Sequence, residues 1–283
     1  MIEKYYNGVI EQVAGGIGNV EHNSILVRYS NDFSIWDLES VNHYKDQTDI
    51  FFTCHEFSYN KIAEAYEPYL GLIRQMFHKY CSGTLEEFME ECDVYKLQRP
   101  VFESYFEKGF CERTEQILID EVEYEQERMR NSIVTMLQKL SEIRPVVIVL
   151  NRFQLASKST MQLSNSLLQV KNKNIGIVLG VNDVQSIPEF AHEEWDAICE
   201  SMDDRNMVYH IGNAGRNMEP DVMDYYSDYE SDDGYRKLNN LVYFLDFDQA
   251  NHHLSKIERR IKFDNFTISE KKHYQLLLLQ IMV

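Results

Sequence analysis

The sequence predicts an α/β fold, in which a parallel sheet carries helices on both faces. Short apolar segments rich in β-branched residues recur along the chain, and segments with apolar residues at helical spacing follow them. Residues 146–150, V-V-I-V-L, are apolar without alternation, which is typical of a strand buried on both faces. The alternation of such strands with amphipathic helices is the pattern of a parallel sheet.

The first half of the chain contains two predicted strands and several helices. In chain order we expect a helix over 3–14, a strand over 24–29, a helix after Ser30, a strand over 49–55, and helices from residue 58, over 85–92 and over 112–143. Ser30, Asn31 and Asp32 are the candidate caps of the helix after the first strand. The apolar stripe predicted to be buried in the last helix consists of Met129, Ile133, Met136 or Leu137, and Leu140.

The second half continues the pattern and then becomes weaker. We expect a strand over 146–150, a helix over 160–170, strands over 174–181, 207–211 and 241–245, a helix over 247–263 and a further helix from residue 269. We therefore predict an α/β domain over 1–245 and the start of a helical lid or following helical domain over 246–283. Because the last segment ends in L-L-L-L-Q-I-M-V, we expect it to be covered by further chain or by a partner.

Charge and cysteine content restrict the class of protein. The chain has 28 basic and 46 acidic residues, a net charge of −18, which would repel phosphate backbones and anionic lipid. We therefore expect no nucleic-acid binding and no membrane binding. Five scattered cysteines without a C-x-x-C pair are typical of reduced thiols. With no signal-peptide pattern and no bilayer-spanning apolar run, the expected location is the cytoplasm.

One strongly acidic segment, 219–233, contains seven carboxylates and no lysine or arginine. We interpret it as a mobile acidic loop, with a cation site or a site for a basic partner as the alternative. It lacks the D-x-D-x-D-G spacing of a calcium loop.

The functional prediction depends on the loops at the carboxyl ends of the strands, where α/β folds bind ligands. A phosphate loop needs glycines, a lysine and a hydroxyl between a strand and a helix. The sequence G-G-I-G-N at 15–19 precedes the first strand and has no lysine, so we interpret it as a helix stop and turn. The loop after the first strand, at 29–36, has neither glycine nor lysine and contains Asp32 where a phosphate would lie.

Four segments resemble the signalling ATPases of the AAA-related STAND class. They are D-I-F-F-T-C-H-E-F at 49–57, Y-E-P-Y-L-G-L-I-R-Q-M at 66–76, P-V-V-I-V-L-N-R-F-Q-L-A-S-K-S-T-M-Q-L-S-N-S-L-L at 145–168 and N-I-G-I-V-L-G-V-N-D at 174–183. The resemblance covers roughly 3–260 and implies a P-loop NTPase-like core. Residues 146–155 then resemble the Walker B strand, and Asn182 stands where the next strand carries a polar sensor.

Within that resemblance, the residues that would perform ATP hydrolysis are replaced. Magnesium coordination and water activation need carboxylates after the Walker B strand, but this chain has Asn151 and Arg152 there. The resemblance therefore implies a pseudo-ATPase that acts as a regulatory or scaffolding module in signalling, with further domains or a protein partner. We predict no catalytic residue, no metal site and no resident cofactor, with ATP and Mg²⁺ as the alternative. A vestigial pocket would consist of Ser30, Asn31, Asp32, Asn151, Arg152 and Asn182.

Two other functions stay open from the sequence. In a weak or altered nucleotide-binding domain, Arg152, Arg28 and Asn182 would contact phosphate while backbone amides at 31–34 cap it. In an unrelated hydrolase, one of Cys54, His55 and Glu56 would be the nucleophile or base. His252 and His253 are adjacent on a helix and are not expected to share a metal, whereas Trp36 and Trp195 are expected to be core or interface anchors.

Overall fold

The computed structural model describes residues 2–18, 23–30, 34–45, 49–58, 61–111, 122–170, 172–183, 187, 189–203, 208–211 and 232–261. Among these residues there are ten α-helices and one sheet of five parallel strands. The predicted α/β fold class is confirmed, and the architecture is consistent with a Rossmann-like or P-loop-like core.

The strands and helices have the following bounds. The strands are β1 (Ser24–Tyr29), β2 (Phe51–Glu56), β3 (Val146–Asn151), β4 (Ile175–Asn182) and β5 (Val208–Ile211). The helices are α1 (Ile2–Gly15), α2 (Glu39–Lys45), α3 (Tyr69–Tyr80), α4 (Leu85–Glu91), α5 (Arg99–Lys108), α6 (Val122–Ile143), α7 (Lys158–Gln169), α8 (His192–Asp203), α9 (Asp232–Tyr243) and α10 (Phe247–Ile261).

The strands lie in the order β2-β3-β4-β1-β5, and all four pairings are parallel. The chain crosses from β1 to β2 in one direction along the sheet, whereas the later crossovers run in the other direction. Right-handed crossovers therefore place the connecting helices on opposite faces of the sheet. On one face, α1 contacts α2 and the strands β1, β3 and β4, and on the other face α6 contacts both α3 and α7, and α7 contacts α8.

The position of each strand explains its sequence. Every residue of β3 and of β4 is buried, while every residue of β2 is half-buried. β3 and β4 are central strands with helices on both faces, and β2 forms one edge of the sheet. The prediction that residues 146–150 form a strand buried on both faces is confirmed.

Two predicted elements are wrong or misplaced. The helix expected from residue 58 begins only at Tyr69, because Tyr66 has a positive φ of 55° and Pro68 follows it. Residues 241–245, predicted as a strand, belong instead to the last turn of α9 and the residues after it. Helix α5 was not predicted; it begins with Arg99-Pro100, a favourable helix start, and ends at Gly109 in the left-handed conformation.

The segment after β1 also differs from its prediction. In place of one helix capped by Ser30, Asn31 or Asp32, a short 3₁₀ helix (Ile35–Asp37) with Ser34 as its cap precedes α2. Trp36 in this 3₁₀ helix is 47% exposed, so it is not a core residue. Trp195 is buried and packs near Phe153, as a core residue does.

The remaining predicted segments agree with the structure where it describes them. The stripe of α6, with Met129, Ile133, Met136, Leu137 and Leu140, is fully buried. The segment 112–121, most of the acidic segment 219–233 and the helix expected from residue 269 lie outside the described residues. Leu254 and Ile257 of α10 belong to the same hydrophobic cluster as the sheet, and whether residue 245 ends a domain stays a prediction.

None of the helices in the described part of the chain combines the length and the hydrophobicity that crossing a bilayer requires. All five cysteines are free thiols.

Candidate functional site

The carboxyl edge of the sheet brings together most of the residues predicted for the vestigial pocket. Asn151 ends β3, Arg152 follows it directly, and Asn182 ends β4. Ser30 follows β1 and is half-buried, while Asn31 and Asp32 lie outside the described residues. Whether these residues form a ligand pocket stays a prediction.

Asn151 is buried completely, with 0% of its surface exposed. Its side-chain Oδ1 accepts a hydrogen bond of 2.7 Å from the Tyr29 hydroxyl. Its Nδ2 is also buried and has no hydrogen-bond acceptor among the described residues. A side chain in this environment contacts a ligand only if the segments covering it move apart.

Tyr6 of α1 covers the same position. A Cβ added to Gly180 of β4 would overlap with the Tyr6 hydroxyl and would lie 2.7 Å from Asn151 Oδ1. Only glycine therefore allows α1 to approach the sheet here. Burial raises the pKa of the Tyr6 phenol, and the nearby Tyr29, Glu56 and Cys54 raise it further. The phenol is therefore uncharged.

Glu56, at the end of β2, is the acceptor that organises the polar groups of this edge. Its Oε1 lies 3.1 Å from Arg152 Nη1. Its Oε2 accepts hydrogen bonds from the Ser34 hydroxyl at 3.1 Å and from the Ile35 backbone N–H at 3.2 Å. The Glu56 side chain is 9% exposed and that of Arg152 is 18% exposed, so this ion pair is mostly shielded from water.

The backbone of Arg152 is adapted to this contact. The residue has φ of 53° and ψ of 41°, the left-handed conformation, which arginine adopts at a cost of about 1 kcal/mol. This turn lets the chain leave β3 and enter the 3₁₀ helix Phe153–Leu155. It also places the guanidinium within reach of Glu56 on the neighbouring strand.

The other predicted phosphate contacts already have protein partners. Arg28 Nε lies 2.7 Å from Asp183 Oδ1. The Asn182 backbone N–H donates to the buried Gln154 Oε1 at 3.3 Å. The cationic and backbone donors found at this edge are therefore engaged by carboxylate or amide oxygens of the chain itself.

The three consecutive residues considered as hydrolase groups do not share one face of the sheet, because Cys54 and Glu56 lie on one face of β2 and His55 lies on the other. Successive side chains of a strand lie on opposite faces of the sheet, so Cys54 and His55 cannot act on one substrate. His55 Nε2 lies 3.5 Å from Glu67 Oε1, while Glu56 is paired with Arg152. Burial raises the pKa of the Cys54 thiol, and burial lowers the pKa of His55 to about 4. The thiol is therefore not activated.

A second titratable cluster lies beside His55 and was not found from the sequence. Glu67 Oε2 accepts a hydrogen bond from the Glu64 backbone N–H at 3.0 Å, and Glu64 Oε2 accepts one from Asn240 Nδ2 at 2.9 Å. Burial, followed by the charge of Glu67, raises the pKa of Glu64 to about 7. Glu64 and Asn240 are separated by 176 residues, and no local motif joins them.

The raised pKa of Glu64 predicts a pH-dependent stability. Because the pKa of Glu64 is higher in the folded than in the unfolded state, ionisation of Glu64 destabilises the fold. This destabilisation is absent below about pH 4.5 and complete above about pH 7. We expect the free energy of unfolding of Glu64→Gln, relative to that of the wild type, to increase by about 2 kcal/mol as the pH rises from 5 to 8. Urea denaturation of both proteins at each pH measures this gain.

The variant must be compared with the wild type at each pH, because the lowered pKa of His55 changes the stability with pH in the opposite direction to Glu64. The lowered pKa of His55 makes the folded state less stable as the pH falls from about 6.5 to 4, and this contribution is common to both proteins. Glu86→Gln, on the exposed side of α4, is the control for loss of one carboxylate. An equal gain in both variants would contradict the assignment to Glu64.

The described residues contain no group of three or more His, Cys, Asp or Glu side chains arranged to hold a metal ion. His253 is buried and His252 packs edge-on to Phe190. No protein-family model matches the chain, and neither does any curated protein sequence.

Proposed function

We propose that the chain is a catalytically inactive, STAND-like pseudo-ATPase domain that acts as a regulatory or scaffolding module in a cytoplasmic signalling protein. The observation that carries this proposal is the Glu56 carboxylate, which is held by Arg152, the Ser34 hydroxyl and the Ile35 backbone N–H. These are the types of group that bind phosphate in nucleotide-binding folds.

A carboxylate in this position opposes nucleotide binding in two ways. It adds a negative charge that would repel a triphosphate. It also occupies donors after β1 that would otherwise be free to contact a ligand. The burial of Asn151 is a second obstacle, because its amide has neither the charge nor the exposure that magnesium coordination needs.

The alternative is a weak nucleotide-binding domain with unusual phosphate contacts. The observation that favours it is Asn151 Nδ2, a buried donor with no acceptor among the described residues, since buried donors are usually satisfied. In that case Arg152, Arg28 and Asn182 would contact the phosphates after the Glu56 contacts had opened.

A titration with a fluorescent ATP analogue and Mg²⁺ separates the two. For the pseudo-ATPase we expect no saturable binding up to about 1 mM, a binding free energy weaker than about −4 kcal/mol. We also expect no phosphate release above that of buffer. Saturable micromolar binding would contradict the inactive domain. If that binding is lost in the double variant Arg152→Ala with Arg28→Ala but kept in Arg128→Ala, the nucleotide-binding alternative is supported.

A further inference from the structure

We propose that the open edge of β2 is a docking site for an acidic, extended segment of a partner protein, which adds to the sheet as a sixth strand. The site is the groove between α2 and α3 at the beginning of β2, with a volume of about 610 Å³, and we call it the β2 groove. It is lined by Lys45, Ile50, Phe51, Phe52, Arg74, Gln75, His78, Lys79 and Tyr80.

The backbone of β2 offers hydrogen-bonding groups on its open side. The N–H of Phe51 donates to Pro145 and that of Phe57 donates to Asn151, which fixes the register of the β2–β3 ladder. In this register the odd-numbered residues direct their backbone groups toward β3. Phe52 and Cys54 therefore direct theirs away from β3, on the side where no described strand pairs with β2. Such an edge is a template for strand addition.

The groove has an apolar floor on both sides of the strand. Phe52 stacks on Tyr44 of α2, with ring centroids 5.6 Å apart. On the other face, Phe51 packs edge-on to Tyr80 of α3 at 6.1 Å. Because the side chains of an added strand alternate between the two faces, a bound segment would meet an aromatic ring on each side.

The charge of the groove identifies the partner. Three lining residues, Lys45, Arg74 and Lys79, are cationic and none is acidic, although the chain as a whole has a net charge of −18. Lys45 lies over the ring of Trp36 at 4.4 Å, and Lys79 lies over the ring of Tyr80 at 5.3 Å. Among the described residues, no carboxylate pairs with Lys45, Arg74 or Lys79.

Arg74 is held in place without being neutralised. Its Nε and Nη2 donate to the backbone carbonyls of Phe106 and Glu107, at 2.6 and 3.1 Å. The guanidinium is therefore positioned at the groove without a carboxylate partner among the described residues. An acidic segment matches this surface, whereas a second copy of the β2 edge would bring its own lysines against these and be repelled.

The exposed Trp36 extends the same surface at the α2 side. It is 47% exposed and contacts Lys45, and tryptophan is enriched among the residues that dominate binding energy. This inference goes beyond the proposed function, because nothing in it depends on the occupancy of the Glu56 contacts.

The test uses a fluorescein-labelled peptide of repeating Glu-Glu-Val-Val, which presents carboxylates and apolar side chains on both faces of a strand. We expect saturable binding by fluorescence anisotropy, with Lys-Lys-Val-Val repeats not binding. Lys45→Glu with Lys79→Glu should weaken binding about tenfold or more. The matched control, Lys4→Glu with Lys96→Glu, makes the same charge change on exposed residues elsewhere and should change binding by less than about twofold.

Hydrogen exchange distinguishes strand addition from charge attraction alone. Bound peptide should slow exchange of the amides of Phe52 and Cys54, which an added strand would cover. The proposal is overturned by an absence of saturation below about 1 mM, by equal weakening in both variant pairs, or by unchanged exchange in β2. A concentration-dependent dimer that Lys45→Glu with Lys79→Glu dissociates would assign the groove to a second copy instead.

Discussion

Placing acidic residues after β3, by Asn151→Asp with Arg152→Asp, is expected to lower the stability of the protein without creating an ATPase. The first change places a carboxylate at a fully buried position without a cation, and the second removes the partner of Glu56. Breaking a buried ion pair costs about 3–5 kcal/mol, so we expect the free energy of unfolding to fall by about 4 kcal/mol or more. Urea denaturation at pH 7 and phosphate release with ATP and Mg²⁺ provide the two measurements.

The control variant is Asn42→Asp with Arg236→Asp, which makes the same charge change at two exposed residues and should change stability by less than about 1 kcal/mol. In Asn151→Asp alone, lowering the pH should recover part of the loss. Burial without a cation raises the pKa of the introduced carboxyl above its unfolded value, so the destabilisation disappears as the group becomes protonated. A double variant that keeps wild-type stability and hydrolyses ATP would contradict this expectation, and a wild type that hydrolyses ATP would contradict the inactive domain.

Gly180→Ala is expected to be the most damaging single methyl addition in the described part of the sheet. The new Cβ would overlap with the Tyr6 hydroxyl and crowd Asn151 Oδ1 at 2.7 Å, which forces α1 away from β4 and disturbs the Tyr29–Asn151 hydrogen bond. We expect a loss of about 3 kcal/mol in the free energy of unfolding, from overpacking and an unsatisfied polar group.

A double-mutant cycle assigns this loss to the Tyr6 hydroxyl. In a Tyr6→Phe background, Gly180→Ala should cost at least about 1 kcal/mol less, because the overlapping oxygen is absent. Gly8→Ala on α1 is the matched control, since a Cβ there meets nothing within 4 Å, and it should stabilise the helix by about 0.5–1 kcal/mol. If Gly180→Ala lowers the free energy of unfolding equally in the wild type and in the Tyr6→Phe background, the loss does not come from the Tyr6 hydroxyl.

The fold was predictable from the sequence where every residue of a continuous segment is buried. The residues of β3 and β4 are apolar because both faces are covered, so their sequences show it without tertiary information. Short apolar segments are ambiguous between strand and helix. That ambiguity explains the error at 241–245, which packs as the end of α9. At 58–68 the apolar spacing was real, with Ile62 and Tyr66 buried, but Pro68 prevents one continuous helix.

The site was predictable only in part. The strand ends located Asn151, Arg152 and Asn182 at one edge of the sheet, because parallel strands align their carboxyl ends. Their partners could not be located in this way, since Glu56, Ser34 and Tyr6 come from other elements. The sequence shows that a carboxylate stands at the end of a strand, but it does not show which cation that carboxylate contacts.

The sequence by itself determined the α/β class, the central strand at 146–150 and the polar pair Asn151-Arg152 directly after it. These follow from local periodicity and residue type, which need no knowledge of distant neighbours. The tertiary structure decided that Glu56 meets Arg152, that Tyr6 and Asn151 both approach Gly180, and that basic residues from two helices line a groove at the beginning of β2. Those contacts join residues far apart in the chain, and only the packing of the sheet brings their charges together.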